Sequence, residues 1–479
     1  MGSLTAAKVS SRPSNFVLGG LGLTVGTISY VLYSHFTRSH TTTRGDQDVP
    51  IEKLESLPDP RLALQPPPFS QEQVDTRLRA NEVTRQMSGL GIGHYDRTSL
   101  PSNSVMEDAY SEAIVEMPDG RNLGFWGIYD GHIGTAMSTA LSRSLVNSVA
   151  LELGKAYATD SLPPFERIAQ ALKSGFLAVD DHLIWERQEA LLQHAPESSS
   201  ITSDPLSFPA TQLLQEAFTG SSALLSIYDS RSRMFYVALA GDSRAVLGRR
   251  REPGSWAATV LTLDQYGLNP DEEARIRAEH PGEKDVLKNN RLLGSLEPTR
   301  SFGDLYYKWT DAMQDKIRAC FLNDGKLGRQ LAPNATPPYL TAEPLVTSVQ
   351  IQPEKGDFVV MASDGLWELL SNEEVVGLVG RWVDEQRGIG SRGSKDGWKR
   401  YISSPQHSGS SPVHPDDRFV LEDGNAATHL LRNALGGKLH EGQMVRAMLT
   451  LSPPLSRRYR DDLTIMVIFF DGVWGSNKK

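Results

Sequence analysis

Carboxylates stand where apolar runs start or stop. Glu107-Asp108 open one such run, and Asp130 closes Phe125-Trp126-Gly127-Ile128-Tyr129 and is followed by Gly131 and His132. Asp364 comes just after Phe358-Val359-Val360-Met361-Ala362, and Asp461-Asp462 precede Leu463-Thr464-Ile465-Met466-Val467. If these runs are strands whose ends meet, the side chains converge. Clustered carboxylates repel by about 4 kcal/mol per close pair at an effective dielectric near 20, so they need a cation or must stay apart. Oxygen-only ligands select hard ions, Mg2+ or Mn2+ rather than zinc. Each acid alone reads as a turn former or helix cap. Their recurrence is what points to a metal site.

The elements that must position them are legible from periodicity. Apolar runs at 123–129, 223–228, 234–240, 245–247, 358–362 and 464–470 read as strands. Within 223–247, Asp229-Ser230-Arg231-Ser232 and then Gly241-Asp242 separate three runs, which predicts an antiparallel meander. Ile133, Met137, Leu141, Leu145 and Val149 recur every four residues, predicting a helix that begins directly after His132. Strands and helices in long blocks predict an α+β layered domain rather than a parallel doubly wound sheet.

The chain has 479 residues, 39% hydrophobic and 22% charged, with a formal charge of -9. That balance allows a sizeable core and argues against a nucleic-acid partner, because basic residues are not concentrated in the body. A single cysteine, Cys320, rules out an internal disulfide and a thiolate zinc site. No acidic residue precedes Asp46, whereas Lys8, Arg12, Arg38 and Arg44 are basic, so residues 1–45 have the composition of a mitochondrial targeting segment. Inside it the uncharged run 16–33 would span about 27 Å as a helix, just enough for a single membrane crossing. Residues 46–70, with Pro50, Pro58, Pro60 and Pro66-Pro67-Pro68, read as an extended tether. The folded domain is expected over 71–474, with polar surface inserts near 193–212, 308–338 and 387–420.

The runs Met106-Glu107-Asp108, Tyr129-Asp130-Gly131-His132, Phe218-Thr219-Gly220-Ser221-Ser222-Ala223, Gly241-Asp242-Ser243-Arg244, Thr299-Arg300-Ser301-Phe302-Gly303-Asp304, Ala362-Ser363-Asp364-Gly365-Leu366-Trp367 and Arg460-Asp461-Asp462-Leu463-Thr464 resemble, in order, the motifs of the PPM (protein phosphatase 2C) family. The resemblance implies a four-layer αββα sandwich of two antiparallel-rich sheets flanked by helices, with metals at one end. It further implies an Mg2+- or Mn2+-dependent protein serine/threonine phosphatase. In that reading Asp130 bridges two ions, the Gly131 carbonyl and Glu107 serve one, and Asp364 and Asp461 serve the other. A water shared between the ions attacks phosphorus in line. Asp242 resembles a residue that helps hold a weaker third ion, with a turn-forming Asp as the alternative. Serine and threonine alkoxides are poor leaving groups, so a general acid is needed. His132, beside Asp130, is placed for it, with a hydrogen-bonded structural histidine as the alternative.

Departures narrow the branch. Family members commonly have Arg four residues before the motif Glu, where it holds substrate phosphate, but Asn103 stands here. Glu368 stands where an Asp is usual. Both departures resemble the mitochondrial pyruvate dehydrogenase phosphatases, as do Leu78-Arg79-Ala80-Asn81-Glu82, Lys308-Trp309 and Pro337-Pro338-Tyr339-Leu340-Thr341-Ala342-Glu343-Pro344. That branch implies phosphoserine on the E1α subunit of pyruvate dehydrogenase as substrate and a mitochondrial location, while the apolar run 16–33 predicts membrane anchoring there. Arg300 is the candidate replacement for the missing phosphate-binding Arg, against the alternative that it pairs with a core carboxylate. The rival reading is a non-catalytic scaffold of the same fold. Its sign would be loss of a metal carboxylate, and Glu107, Asp130, Asp364 and Asp461 are all acidic.

Overall fold

A computed structural model describes residues 68–87, 90–193, 212–252, 255–321, 335–388, 397–402 and 414–470. The targeting segment, its apolar run 16–33 and nearly all of the tether lie outside the described residues. Among the described residues, no helix is long and apolar enough to cross a membrane.

In chain order the strands are β1 (Val83–Gln86), β2 (Ile92–Leu100), β3 (Ala109–Glu116), β4 (Asn122–Tyr129), β5 (Gly131–His132), β6 (Gly220–Ser221), β7 (Ala223–Asp229), β8 (Met234–Ala240), β9 (Arg244–Glu252), β10 (Ser255–Val260), β11 (Leu287–Lys288), β12 (Arg291–Leu292), β13 (Phe302–Gly303), β14 (Leu345–Gln350), β15 (Phe358–Ala362) and β16 (Leu463–Phe470). Two large sheets carry the fold, a six-stranded one ordered β1-β2-β16-β15-β9-β10 and a five-stranded one ordered β14-β8-β7-β4-β3. Their pairings are antiparallel.

Alternation along β15 shows why the sheets stack. Val359 and Met361 face the other sheet, with Trp126, Ile128, Leu224 and Phe235 in the same cluster. Phe358, Val360 and Ala362 point the opposite way, into a core shared with helices Asn372–Gln386 and Ala426–Ala434. Both faces of the strand are therefore covered, and every residue of it is apolar. The five-stranded sheet repeats the arrangement, its outer face packing on helices Ala136–Thr159 and Phe165–Asp180. Helix, sheet, sheet, helix is the expected four-layer α+β sandwich.

Two local expectations need correction. The 223–247 segment is not a three-stranded meander. β7 and β8 pair in register from Ala223↔Ala240 to Asp229↔Met234, but β9 pairs with β15 and β10 in the other sheet. Gly241, at φ 129, takes the chain across, a conformation L side chains avoid. Asp242 therefore lies at the crossing between the sheets. The helix after His132 begins at Ala136 rather than at Ile133. Met137, Leu141, Leu145 and Val149 are fully buried, whereas Ile133 is 48% exposed. The delay has a cause: β5 must pair with β6, and the Gly134 amide donates to Glu107, before the chain can turn into the helix.

Two of the polar stretches carry buried residues within their described parts. Lys308 and Trp309 are buried, and helix Asp311–Phe321 buries Ile317. Trp398, Ile402 and Phe419 join the core beneath the six-stranded sheet. Apolar residues spaced among polar ones anchor these segments, while 194–211, 322–334, 389–396 and 403–413 lie outside the described residues.

Candidate active site

Strand register brings the acids to one end of the sandwich. Asp130 follows the last residue of β4, and its carbonyl accepts from the Ser222 amide at the start of β7. Asp364 follows β15, whose Ala362 lies opposite both Arg244 of β9 and Ile465 of β16. Asp242 sits just before β9. Carboxylate oxygens of Asp130, Asp242 and Asp364 all lie within 4.8 Å of one another.

Asp108 stands behind them, its Oδ2 accepting from Ser363 Oγ at 2.9 Å and Thr464 Oγ1 at 2.7 Å. Its Oδ1 and the Oδ1 of Asp364 are buried without a hydrogen-bond partner. Burial first, and then the charges of neighbouring carboxylates, push Asp130 and Asp364 well above the usual carboxylate range. Burial pushes Asp242 up to about 6, and burial with the Asp462 charge pushes Asp108 up to about 7. Such a cluster is deficient in positive charge. Orphaned carboxylate oxygens, close spacing and an all-oxygen donor set fit hard divalent cations.

Glu107 and Asp461 flank the trio rather than joining it. The Glu107 carboxylate accepts from the Gly134 amide at 2.6 Å and from the Asn103 side-chain amide at 3.0 Å. Gly131 is pressed against it: a Cβ there would stand 2.3 Å from the Glu107 carbonyl oxygen. Asp461 makes an ion pair with Arg457 and accepts from the Asp462 amide at 2.6 Å. Its Cβ lies 3.3 Å from the place a Cβ on Gly365 would take, beside Asp364.

His132 Nε2 meets Asp304 Oδ2 at 2.9 Å, and Asp304 also accepts from Ser301 Oγ at 2.6 Å. Burial alone would lower the imidazole pKa, but the charge and hydrogen bond of Asp304 outweigh it and raise it. The ring is thus inclined to hold a proton. A Cβ at position 220 would fall 2.0 Å from His132 Nε2 and 2.2 Å from Asp304 Oδ2. Glycine there lets the pair close.

Asn103 is next to Glu107 but brings no charge. Arg300 is elsewhere: it donates to Glu272 Oε1 at 2.6 and 2.9 Å and to the Glu343 carbonyl at 2.8 Å. Burial would raise the Glu272 carboxyl, but bonds from Arg300 and Arg275 hold it down at about 2. Arg300 is committed to that core pair, so the structure does not support it as a phosphate ligand. The physical reason is that a buried carboxylate needs partners, and Arg300 supplies both bonds to its Oε1 while Arg275 and Thr299 serve Oε2.

Sequence reading passed over three residues that build the site. Asp108 adds the fourth clustered charge, Asp304 holds His132, and Asp462 ties the loop before Glu107 in place. Asp462 accepts from Ser102 Oγ at 2.8 Å and from the Glu107 amide at 2.7 Å. Each lies inside a run already singled out, and near-total burial marks Asp304 and Asp462 as more than turn formers.

Known proteins resemble this chain over most of its length. The family model described as protein phosphatase 2C matches residues 105–396. A protein phosphatase 2C homolog of Schizosaccharomyces pombe is 38% identical, covering 85% of this chain and 86% of its own. The mitochondrial [pyruvate dehydrogenase [acetyl-transferring]]-phosphatase 1 of Saccharomyces cerevisiae is also 38% identical, covering 84% of this chain and 73% of its own. The Homo sapiens protein of the same printed name is 32% identical, covering 83% and 82%. With that likeness added to the sandwich and its acidic mouth, the chain belongs to the protein phosphatase 2C family and is a metal-dependent protein serine/threonine phosphatase.

Proposed function

We propose that this phosphatase acts in mitochondria on phosphoserine of the pyruvate dehydrogenase E1α subunit, with two Mg2+ or Mn2+ ions held at the acidic mouth. The observation that carries the chemistry is the trio Asp130, Asp242 and Asp364, with carboxylate oxygens within 4.8 Å of one another. Asp130 would bridge the ions, with Glu107 and the Gly131 carbonyl on one side and Asp364 and Asp461 on the other; Asp242 would serve a weaker third. When bound, the ions activate water for in-line attack and neutralise the phosphoryl oxygens. His132 holds a proton on the ring nitrogen that Asp304 does not engage. It gives that proton to the serine oxygen as the P–O bond breaks. Asp304 keeps the imidazole charged and aimed, and Asp462 holds the Glu107 loop against the start of β16.

The client and compartment are supported by the names of the relatives that match over most of both chains. The acid-free composition of residues 1–45 supports the same address. Anchoring by 16–33, followed by the tether, rests on composition alone. E1α phosphorylation in a deletion strain is expected to rise, and the native protein is expected to resist protease until the inner membrane is opened. Unchanged E1α phosphorylation, with digestion once the outer membrane is breached, would refute the matrix role.

A further inference from the structure

Apart from the protonated His132 and the proposed ions, no side-chain cation has yet been assigned to the substrate phosphate. A phosphoserine monoester arrives as a dianion, and Asn103, in the place where other branches of the family commonly carry Arg, donates its amide to Glu107. We propose that Arg457 supplies the missing charge, its guanidinium taking two non-bridging oxygens of the phosphoryl group. This inference rests on the phosphatase reading and names the residue that reading leaves open.

Position comes first. Arg457 lies in the single turn Ser456–Arg458, just before the strand that carries Asp461 and Asp462 into the site. That turn is strapped to the loop bearing Asn103 and Glu107. Ser456 Oγ donates to the Ser102 carbonyl at 2.5 Å, Arg460 donates to the Pro101 carbonyl at 2.7 Å, and Asp462 binds Ser102 and the Glu107 amide. Arg457 is thereby brought beside the residues whose charge pattern has the gap.

Charge agrees with position. The guanidinium pairs with Asp461, four residues on, and its field is among those that oppose the upward push of burial on Glu107. It therefore pairs with one of the acids that flank the trio, Asp461, and acts by its charge on the other, Glu107. Asp461 in turn stands next to Gly365 and so to Asp364.

Availability separates Arg457 from its neighbours. Arg300 is held by Glu272 and the Glu343 carbonyl. Arg244 is held by Asp264 and Asn372, Lys308 by Asp180 at 2.7 and 2.8 Å, and Arg460 is buried against Pro101. The Arg457 side chain is 34% exposed, and its partner Asp461 is a carboxylate that a divalent ion also claims. An ion at Asp461 leaves the guanidinium free to turn one edge toward a phosphoryl group. Arginine suits that task because its planar fork binds two oxygens at once, which lysine cannot do.

The test uses the full chain loaded with Mn2+, as wild type, Arg457→Ala and Arg457→Lys. Calorimetry measures the Kd of inorganic phosphate and, separately, of Mn2+; steady-state kinetics on a phosphoserine peptide gives KM and kcat. For Arg457→Ala the phosphate Kd and the peptide KM are each expected to rise by about tenfold or more, the loss of a charge-assisted bidentate contact. Mn2+ affinity should hold or tighten, since a competitor for Asp461 is gone, while kcat/KM should fall by about tenfold or more, because the same oxygens carry charge in the transition state. Arg457→Lys should fall between the two. Unchanged phosphate affinity in Arg457→Ala would overturn the proposal. So would a parallel loss of Mn2+ and phosphate affinity, which would make Arg457 a prop for Asp461. A wild-type protein that binds phosphate and Mn2+ yet hydrolyses no phosphomonoester would fail the phosphatase reading instead.

Discussion

Two sets of carboxylates in this molecule are built on opposite principles. Beside the sandwich, Glu272 is enclosed by Arg300, Arg275 and the Thr299 hydroxyl, and its carboxyl is held down at about 2. At the mouth, Asp130, Asp242, Asp364 and Asp108 face one another, and burial and mutual repulsion push them upward. The same chain thus compensates one carboxylate fully and leaves four others short of positive charge. A deficit tolerated at one place and avoided at another is the mark of a site completed by something outside the chain.

Paired substitutions should break or sharpen this contrast. Replacing Glu272 by Ala strands Arg300 and should cost about 3–5 kcal/mol of stability, the penalty for an unpaired buried charge. Near pH 7 that contribution is fully present: the folded carboxyl at about 2 lies below its unfolded value, so its stabilisation fades only as pH falls from about 4.3 toward 2. Asp130→Asn should act the other way on metal-free protein, raising its denaturant midpoint because one repelling charge is gone. With Mn2+ present, the same variant should lose at least about tenfold in rate, about 1.4 kcal/mol. Excess chelator should silence the wild type alike. If Asp130→Asn weakens the metal-free protein, or keeps more than about a tenth of the rate, the mouth is not the deficit described here.

A more selective effect tests the pair that does have its partner within the site, His132 and Asp304. His132→Ala should slow hydrolysis of a phosphoserine peptide by about a hundredfold. The loss on p-nitrophenyl phosphate should be slight, because that leaving group departs without a proton. Equal losses on both substrates would remove His132 from the acid role.

How much of this was readable beforehand depends on the distance over which each feature is decided. Carboxylates at strand ends are local: a short, nearly unbroken apolar run that stops at Asp130 or follows Asp461-Asp462 declares itself in a few residues. The buried stripe Met137, Leu141, Leu145 and Val149 is local too. Sheet membership is not. β7, β8 and β9 look like a meander because their turns are short, and only the remote strand β15 decides that β9 belongs to the other sheet. The partner of Arg300 lies 28 residues back at Glu272, in a helix whose sequence gives no sign of facing it. Trp309 sits in a polar stretch and is nonetheless fully buried. Asp108 and Asp462 were hidden for another reason, since each adjoins a more obvious acid and only its partners tell the two apart: Asp108 binds Ser363 and Thr464, and Asp462 binds Ser102 and the Glu107 amide.

The smallest expected effect concerns the strained turn that joins the two parts of the site. Ile133 holds φ near 60°, a region where a β-branched residue is strained by about 1–3 kcal/mol. The turn is kept because it sets His132 against Asp304 on one side and sends the Gly134 amide to Glu107, at 2.6 Å, on the other. Glycine would adopt this φ without the clash. It would also widen the unfolded ensemble, costing about 0.4–1 kcal/mol, and would forfeit the modest burial of a side chain that is 48% exposed. The balance favours Ile133→Gly by up to about 1 kcal/mol, read as a higher denaturant midpoint at unchanged slope. A midpoint that falls would show instead that the exposed isoleucine packs productively against the rim, and that the strain is repaid by contacts at the entrance to the site.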